Sequence, residues 1–419
     1  MKGVFLHRLL SWYASFSVII GPILQPYNLF GKSVAQLLMF ANILIFTSYG
    51  MAKGFKSFKK PDRMYIFFLA YFLTLPVMIG TMLYKVDIGA SYRGILVFSA
   101  SLLCYISFAD MTRLKKIYCF FVYLAIVVFF AQEFCWYFLG FRFPGLIPFF
   151  ELNYEMGMEE YLLFQLTRDR SSSIFLEPAH VAIFTLPYMI IKMVDNEEQK
   201  SLFSFETLFI TFFLIWLRSG LGFVCLLVVY LTFLLRSRIN PSRKVAFILF
   251  GSILSIAVLT LTDLGMFLYE SFFSRSAELT GNSSNGSGFI RITRGFLVYK
   301  DFPLTGKIFG VSNGAIADVV IHSSANNLFD GDTLLNTIQK ILIGYGFIGT
   351  LLFLYYLHII AKRRNQYSFY LVLTLVIICF LENMLFDSRM LIYVAIAAIP
   401  SFEKKRIIKK YDKKSIYNR

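Results

Sequence analysis

The most specific pattern in this chain is RDRSSSIFLEPAHVAIF, residues 168–184, in which two arginines precede a glutamate that is followed by proline. Pro178 suits the first turn of a helix and keeps Glu177 out of helical geometry, so the pattern predicts a helix start. The free amide N–H groups and the positive end of the helix dipole then lie beside Arg168 and Arg170. The pattern therefore predicts an anion site, where Glu177 is either a base or only a cap of the helix.

Further candidate residues lie in other polar stretches. FIRITRGFLVYK, residues 289–300, predicts a short amphipathic helix, in which Arg291 and Arg294 share one face because they are three residues apart. His322 precedes SSANNLFDGDT, and an imidazole can accept or deliver a proton near neutral pH, although a plain surface histidine fits the same spacing. His180, one turn inside the predicted helix, is interpreted as a packed polar residue.

Arg218 and Arg389 each stand between two closely spaced apolar runs. A charge at the bilayer centre costs about 2.5–3.5 kcal/mol, so both side chains are expected to reach the membrane surface. Guanidinium groups match phosphate oxygens with paired hydrogen bonds, each contributing roughly 1.5–3 kcal/mol. The alternative is that outer loops simply contain some arginines. Taken as a set, six arginines are predicted to bind a phosphate or pyrophosphate: Arg168, Arg170, Arg218, Arg291, Arg294 and Arg389.

Several common catalytic motifs are absent from the sequence. It contains no GxxxxGK[ST] loop, no HExxH, no CxxC and no GxSxG. The lack of a nucleotide cradle argues against a pump or a cytoplasmic nucleotide-sugar transferase. The five cysteines lie in or beside apolar runs without paired spacing, so neither a disulfide nor a metal site is expected.

Composition excludes an ordinary soluble domain. Hydrophobic residues make up 57% of the 419 and charged residues only 16%, which is more apolar surface than a soluble core of this length could hide. The net charge of +16 would suggest nucleic acid if it covered one soluble face. The basic residues instead form short clusters between apolar runs. The sequence therefore predicts an all-α polytopic protein whose partner is the lipid bilayer, with no nucleic acid.

A bilayer core needs about 20 apolar residues per helix, and about 12 such stretches can be placed in residues 1–419, which form a single integral membrane domain. The stretches are residues 9–26, 34–52, 64–83, 88–108, 117–139, 174–194, 202–217, 219–235, 244–263, 338–360, 367–382 and 384–401.

The distribution of lysine and arginine predicts the orientation of these spans. With the N-terminus inside, about 27 basic residues face the cytoplasm and about 14 face outward, so both termini are expected to be cytoplasmic. Two long external loops follow, at about 140–173 and 264–337. The first contains FRFPGLIPFFELNYEM, whose prolines and aromatic residues suggest a segment lying in the headgroup region.

Several motifs together resemble the Wzy-type polysaccharide polymerases of capsule, O-antigen or exopolysaccharide, which are relatives of the O-antigen ligases. The motifs are RSSSIFLEPAHVAIF, RSGLG, FIRITRGFLVYKDFPLTGKIFG, the histidine at 322 and NTIQKILIGYGFIGTLLFLYYL. They cover roughly residues 165–360. One departure is that eleven residues separate Arg294 from Gly306, whereas many of these polymerases have ten between such a pair.

The resemblance implies a GT-C-like membrane glycosyltransferase that needs neither a metal nor another cofactor. It implies a donor and an acceptor that are oligosaccharides on undecaprenyl pyrophosphate, at the outer face of the bacterial inner membrane, with a chain-length regulator as a possible partner. Matching positions suggest Arg168, Arg170, Arg218 and Arg291 or Arg294 as pyrophosphate ligands. Glu177 or His322 would be the base that activates the acceptor hydroxyl.

Two other functions stay open on the sequence alone. A ligase would use the same chemistry to move finished glycan to another acceptor. A transporter or flippase would fit the number of spans, although transporters usually carry charged residues in mid-helix and two related halves, and neither is evident in this sequence.

Overall fold

The computed structural model describes residues 2–147, 149–152, 170–198, 204–236, 287–324, 335–363 and 365–399. For residues 2–4, 287–293 and 363 it describes only the backbone. The predicted span at 244–263, Arg168 and parts of the predicted loop 264–337 lie outside the described residues, as does the side chain of Arg291.

Helices make up most of the described chain. The first half contains α1 (Lys2–Leu24), α2 (Val34–Lys53), α3 (Arg63–Leu73), α4 (Leu75–Leu83), α5 (Ile88–Phe108) and α6 (Met111–Leu139). The second half contains α7 (Pro178–Glu198), α8 (Phe205–Trp216), α9 (Gly220–Arg236), α10 (Ser287–Lys300), α11 (Leu304–Phe309), α12 (Ile316–Ile321), α13 (Thr337–Arg363), α14 (Ser368–Leu381) and α15 (Ser388–Ala398). Short 3-10 turns lie at Phe55–Ser57 and Asn313–Ala315.

Five helical segments within the described residues are long and apolar enough to cross a membrane: α2, α3 with α4, α5, α6 and α13. Four shorter apolar helices, α8, α9, α14 and α15, accompany them. This architecture is consistent with an all-α membrane protein, while the number of about 12 spans stays a prediction.

The predicted span 64–83 is divided in two at Thr74, which has non-helical angles of φ −118° and ψ −81°. Pro76 causes this break, because proline has no N–H to donate to the carbonyl of Phe72 and its ring clashes with that group. The chain continues as α4 after the break.

A small sheet is the one departure from helix that the sequence did not predict. Its strands are β1 (Tyr27–Leu29), β2 (Lys32–Ser33) and β3 (Glu151–Leu152), in the order β2-β1-β3. Both pairings are antiparallel, with Asn28 opposite Ser33 on one side and opposite Glu151 on the other. Strands of two or three residues are too short to give an alternating pattern, so the sequence carries no signal for them.

The amphipathic helix predicted at 289–300 is confirmed as part of α10, and its arginine face is the inner one at Arg294. Arg294 is buried, whereas Phe296 and Leu297 are exposed. The next turn buries Val298 completely. The expectation of an apolar inner face holds for a helix in water, whereas a helix in lipid can present phenylalanine outward and keep a charged side chain inside the protein.

The segment that follows α11 is fitted into a kink of α13. Gly346 has a left-handed φ of 69°, which interrupts the helical hydrogen bonds. The amides of Val311 and Ser312 donate instead to the carbonyls of Ile343 and Gly344, at 3.3 and 2.7 Å. The Tyr71 hydroxyl lies 3.1 Å from the carbonyl of Tyr345. Irregular backbone at membrane depth is stable only when its polar groups are satisfied inside the protein, as they are here.

Replacing Gly310 with alanine should destabilise the protein strongly. Gly310 has φ of 82°, and a Cβ atom there would lie 2.4 Å from the Cα of Tyr345. The matched control is Gly31→Ala, where φ is 69° but nothing lies within 4 Å of the added atom. The free energy of unfolding of the control should fall only by the cost of placing alanine in the left-handed region, about 1–2 kcal/mol. Thermal unfolding in detergent measures the difference, and equal shifts for both variants would contradict the proposed packing.

Candidate functional site

Hydrogen bonds join many helix ends at one end of the bundle, which we call the site end. Ser388 at the start of α15 donates to Gln25, just after α1, at 2.7 Å. Thr337 at the start of α13 donates through its amide and hydroxyl to the carbonyl of Glu382, after α14. Gln132 near the end of α6 bonds to the backbone before α7. The predicted site residues of these segments therefore lie at one end of the protein.

A buried carboxylate, Glu133, gathers cationic and polar side chains at the site end. Its Oε1 accepts a hydrogen bond from the Ser171 hydroxyl at 2.6 Å and lies 3.6 Å from Nη2 of Arg142. Its Oε2 accepts from the indole of Trp216 at 3.2 Å and from Nη2 of Arg218 at 3.4 Å. Glu133 therefore draws two guanidinium groups, an indole and a hydroxyl to one buried point.

The chain brings these arginines together through sharp local turns. Arg218 takes a left-handed φ of 53° in the three-residue connection between α8 and α9. Its carbonyl accepts a hydrogen bond from Nη1 of Arg170 at 3.2 Å. Arg142 is buried, and its guanidinium carbon lies 4.5 Å from the ring centre of Trp136. Aromatic faces stabilise guanidinium groups in this position. We call Glu133, Arg142, Arg170, Ser171 and Arg218 the arginine cluster.

Residues 171–177 connect the arginine cluster to the start of α7. The amide of Ser173 donates to Oε1 of Gln132 at 2.8 Å, and Nε2 of Gln132 donates to the carbonyl of Ser173 at 3.1 Å. These two hydrogen bonds to α6 fix the segment in place. The predicted helix start is confirmed, because α7 begins at Pro178 and the carbonyl of Glu177 accepts from the amide of His180 at 3.0 Å.

A cavity of about 120 Å³ lies at the start of α7. Its walls include His180 from the first turn of α7 and Arg389 from the start of α15. The remaining walls are apolar or uncharged and come from the end of α1 and the segment before α7, with Pro22, Gln25, Phe175 and Leu176 among them. His180, which the sequence analysis interpreted as a packed residue, therefore borders a space that a ligand group can enter.

Arg389 is held by carboxylates within the described residues. Its Nε and Nη2 lie 2.8 and 2.7 Å from Oδ2 of Asp387, and its Nη1 lies 3.8 Å from Oε1 of Glu382. Glu177 also lies within electrostatic reach of this guanidinium and of His180. The sequence analysis placed Arg389 among pyrophosphate ligands. That role stays a prediction, and in the described residues the guanidinium lies beside the carboxylates of Asp387 and Glu382.

His322 and Arg294 lie in other parts of the structure. His322 is exposed at the end of α12, with Nδ1 2.7 Å from the carbonyl of Asp318. No described hydrogen bond or ion pair joins His322 to the arginine cluster or the cavity. Arg294 is buried on α10, and the next residue, Gly295, packs against Gln339 in the first turn of α13. α10 therefore packs against the first turn of α13 through Gly295.

A second acidic side chain is bonded to the chain just beyond His322. Asp301, after α10, accepts hydrogen bonds from the hydroxyl and the amide of Ser324, at 2.6 and 2.8 Å. These bonds lower the pKa of Asp301 below its ordinary value. These hydrogen bonds tie the end of α10 to the chain just beyond His322.

Sequence reasoning missed Glu133 and Arg142. A usable signal was present for Glu133, because an ionisable residue inside an apolar span is by default a functional candidate. This lone glutamate stands in the apolar run IVVFFAQEFCWYFL, whereas the candidate motifs came from polar stretches. Arg142 was one arginine of a proline-rich stretch, and nothing in its spacing pointed to Glu133.

Replacing Glu133 with glutamine should be strongly destabilising, because it leaves buried guanidinium groups without their carboxylate. Breaking a buried pair in this way costs about 3–5 kcal/mol. The matched control is Glu206→Gln, which removes an ion pair of 2.8 Å with Lys192 whose side chains are 28–29% exposed. The control should lose less. Thermal unfolding of both variants in detergent tests this, and an equal or smaller loss for Glu133→Gln would contradict the role given to Glu133.

Comparison with known proteins adds no family to this geometry. No protein-family model matches the chain, and no curated protein matches it either. The functional inference therefore rests on the arginine cluster, the cavity beside it and the motif resemblance.

Proposed function

We propose that this protein is a membrane glycosyltransferase that polymerises oligosaccharide repeat units carried on undecaprenyl pyrophosphate at the outer face of a bacterial inner membrane. The supporting observation is that buried arginines and a cavity bordered by His180 occur together at one end of an apolar helical bundle. The motif resemblance over residues 165–360 supports the same reaction. The arginines suit an anionic lipid headgroup, and the cavity suits a sugar hydroxyl.

The arginine cluster is the proposed site for the donor pyrophosphate. Arg142 and Arg218 share the single carboxylate of Glu133, and Arg170 is bonded to the backbone of Arg218. Guanidinium groups that are already held in place bind phosphate oxygens without a further ordering cost. They also stabilise the charge that develops on pyrophosphate as it leaves. Glu133 acts as a positioning residue for these arginines.

The cavity is the proposed site for the acceptor hydroxyl. Its volume of about 120 Å³ is below the roughly 300–1,000 Å³ of typical small-molecule sites, so it suits one edge of a sugar. The acceptor oxygen attacks the anomeric carbon of the donor sugar, and the bond from that carbon to pyrophosphate breaks. Undecaprenyl pyrophosphate leaves with the electron pair. A base takes the hydroxyl proton, and the growing chain passes to the non-reducing end of the acceptor unit.

Glu177 is favoured over His322 as the base. Glu177 acts electrostatically on both His180 and Arg389, which border the cavity. His322 is exposed, and its described partner is Asp318. A base must come within hydrogen-bond reach of the proton that it abstracts, and Glu177 lies immediately before α7, whose first turn carries His180 at the cavity.

Deleting the gene in the organism that carries it should reduce its surface polysaccharide to single repeat units, as measured by electrophoresis of the extracted glycan. Unchanged chain lengths would rule the polymerase out. Long chains stranded on undecaprenyl pyrophosphate would indicate a ligase. Proteoliposomes that move lipid-linked sugar without joining it would indicate a transporter.

Glu177→Gln and Arg294→Ala should each abolish polymer while the protein still inserts at normal levels. Loss of a positioned acid or base typically costs about 10²–10⁴-fold in rate. The controls are Glu206→Gln, which breaks an ion pair with Lys192, and Arg236→Ala, which removes a guanidinium stacked on Phe369. Both controls lie away from the site end and should keep polymer length. Full activity in a site variant removes that residue from the reaction.

His322→Ala should leave polymer length close to that of the unchanged protein if Glu177 is the base. The measurement is the rate of polymer formation from lipid-linked repeat units with purified protein, over a range of pH. Loss of activity in His322→Ala together with an active Glu177→Gln would reverse the two roles.

A further inference from the structure

The hairpin between α1 and α2 has an unusual residue at its tip. Phe30 and Gly31 form the two-residue loop between β1 and β2, and both have positive φ, 52° and 69°. Positive φ at both central residues defines a type I′ turn, for which Asn-Gly is the preferred pair. A phenylalanine in the left-handed region is unfavourable for the backbone. Local turn chemistry therefore does not explain Phe30.

The exposure of Phe30 is also unfavourable in water, because 92% of the surface of this apolar side chain is exposed. A second phenylalanine, Phe149, is 89% exposed. The antiparallel register of β1 and β3 pairs Tyr27 with Leu152 and Asn28 with Glu151. The sheet therefore brings the hairpin and the segment that enters β3 together. Two almost fully exposed aromatic side chains thus flank the strands of one small sheet, Phe30 at the hairpin tip and Phe149 two residues before β3.

The apolar surfaces of the neighbouring helices lead to this pair. On α6, exposed apolar side chains run along the helix toward its end, at Phe120, Val127, Phe134 and Phe138. On α2, a similar row begins just after the hairpin, at Leu37, Phe40 and Leu44. Such rows on long apolar helices are the lipid-facing surface of a membrane protein. The sheet continues this surface at the helix ends, which is the level of the membrane–water boundary.

We propose that Phe30 and Phe149 insert together into the headgroup layer of the lipid bilayer and anchor the site end there. Phenylalanine is among the residues by which interfacial segments bury apolar surface about 5–10 Å into the boundary between headgroups and acyl chains. Lys32, exposed on β2, can reach the lipid phosphates with its ammonium group. The anchor is independent of the reaction that the site performs.

The anchor has a direct connection to the cavity. Tyr27 of β1 packs in one apolar cluster with Leu152 of β3 and with Leu176, which lines the cavity. The Tyr27 hydroxyl also accepts a hydrogen bond from the amide of Ile147 at 2.9 Å. A sheet held in the headgroup layer therefore holds the cavity at the depth where the headgroup of a lipid-linked substrate lies.

Tryptophan fluorescence tests the depth of the two side chains. Phe30→Trp and Phe149→Trp are prepared separately as full-length protein in vesicles of phosphatidylcholine and phosphatidylglycerol. The signal of the added indole is the difference from the parent protein, which contains three tryptophans. Lipids brominated close to the headgroup should quench both added indoles more strongly than lipids brominated deep in the chain. Aqueous iodide should quench them weakly.

Two control positions calibrate the measurement. Val127→Trp lies midway along α6 and should respond best to deep bromination. Ile321→Trp lies on α12 beside His322 and should respond to iodide only. Phe30→Asn in the Phe149→Trp protein creates the preferred Asn-Gly turn, so the fold is kept while the shallow quenching decreases. Strong iodide quenching at positions 30 and 149, without quenching by brominated lipid, would overturn the proposal and assign this surface to water.

Discussion

The site end depends on the buried carboxylate of Glu133, which is stable there only with partners. Glu133 is 4% exposed near the end of an apolar helix, and an ion in that position is stable only when it is paired and hydrogen-bonded. Its partners come from the loop after α6, the segment before α7 and the turn between α8 and α9. One buried charge therefore specifies how three separate connections meet, and it leaves their arginines in a fixed arrangement.

Short sequence patterns predicted many of the helices but not which side of each helix is buried in the protein. Pro178 determines the start of α7 through its own backbone chemistry, so the sequence alone was sufficient. The pattern of α10 also gave a helix with Arg294 and Phe296 on different faces, but it did not show that Arg294 is buried and Phe296 exposed. Which side of a helix is the inside depends on the solvent around the protein, and the spacing of residues carries no information about it.

The site was only partly predictable because its partners are far apart in sequence. Glu133 meets Trp216 and Arg218 across more than eighty residues, and Tyr27 meets Leu152 across the whole of five helices. Such contacts follow from the packing of helices and leave no mark in a short window. The arginines of predicted loops were visible as charges, but whether a carboxylate compensates them was not.

The distribution of carboxylates decides what each part of the site end can bind. Within the described residues, Glu133 lies beside two arginines, whereas Arg389 lies beside two carboxylates. Guanidinium groups attract anions, while a hydroxyl that must lose a proton is favoured near carboxylates. Ser171 touches the first group and Leu176 lines the cavity of the second, which places them at most roughly 17 Å apart along the chain. In the proposed reaction, the attacking hydroxyl and the departing pyrophosphate oxygen meet at one anomeric carbon, so this short, anchored segment holds that carbon between the arginine cluster and the cavity.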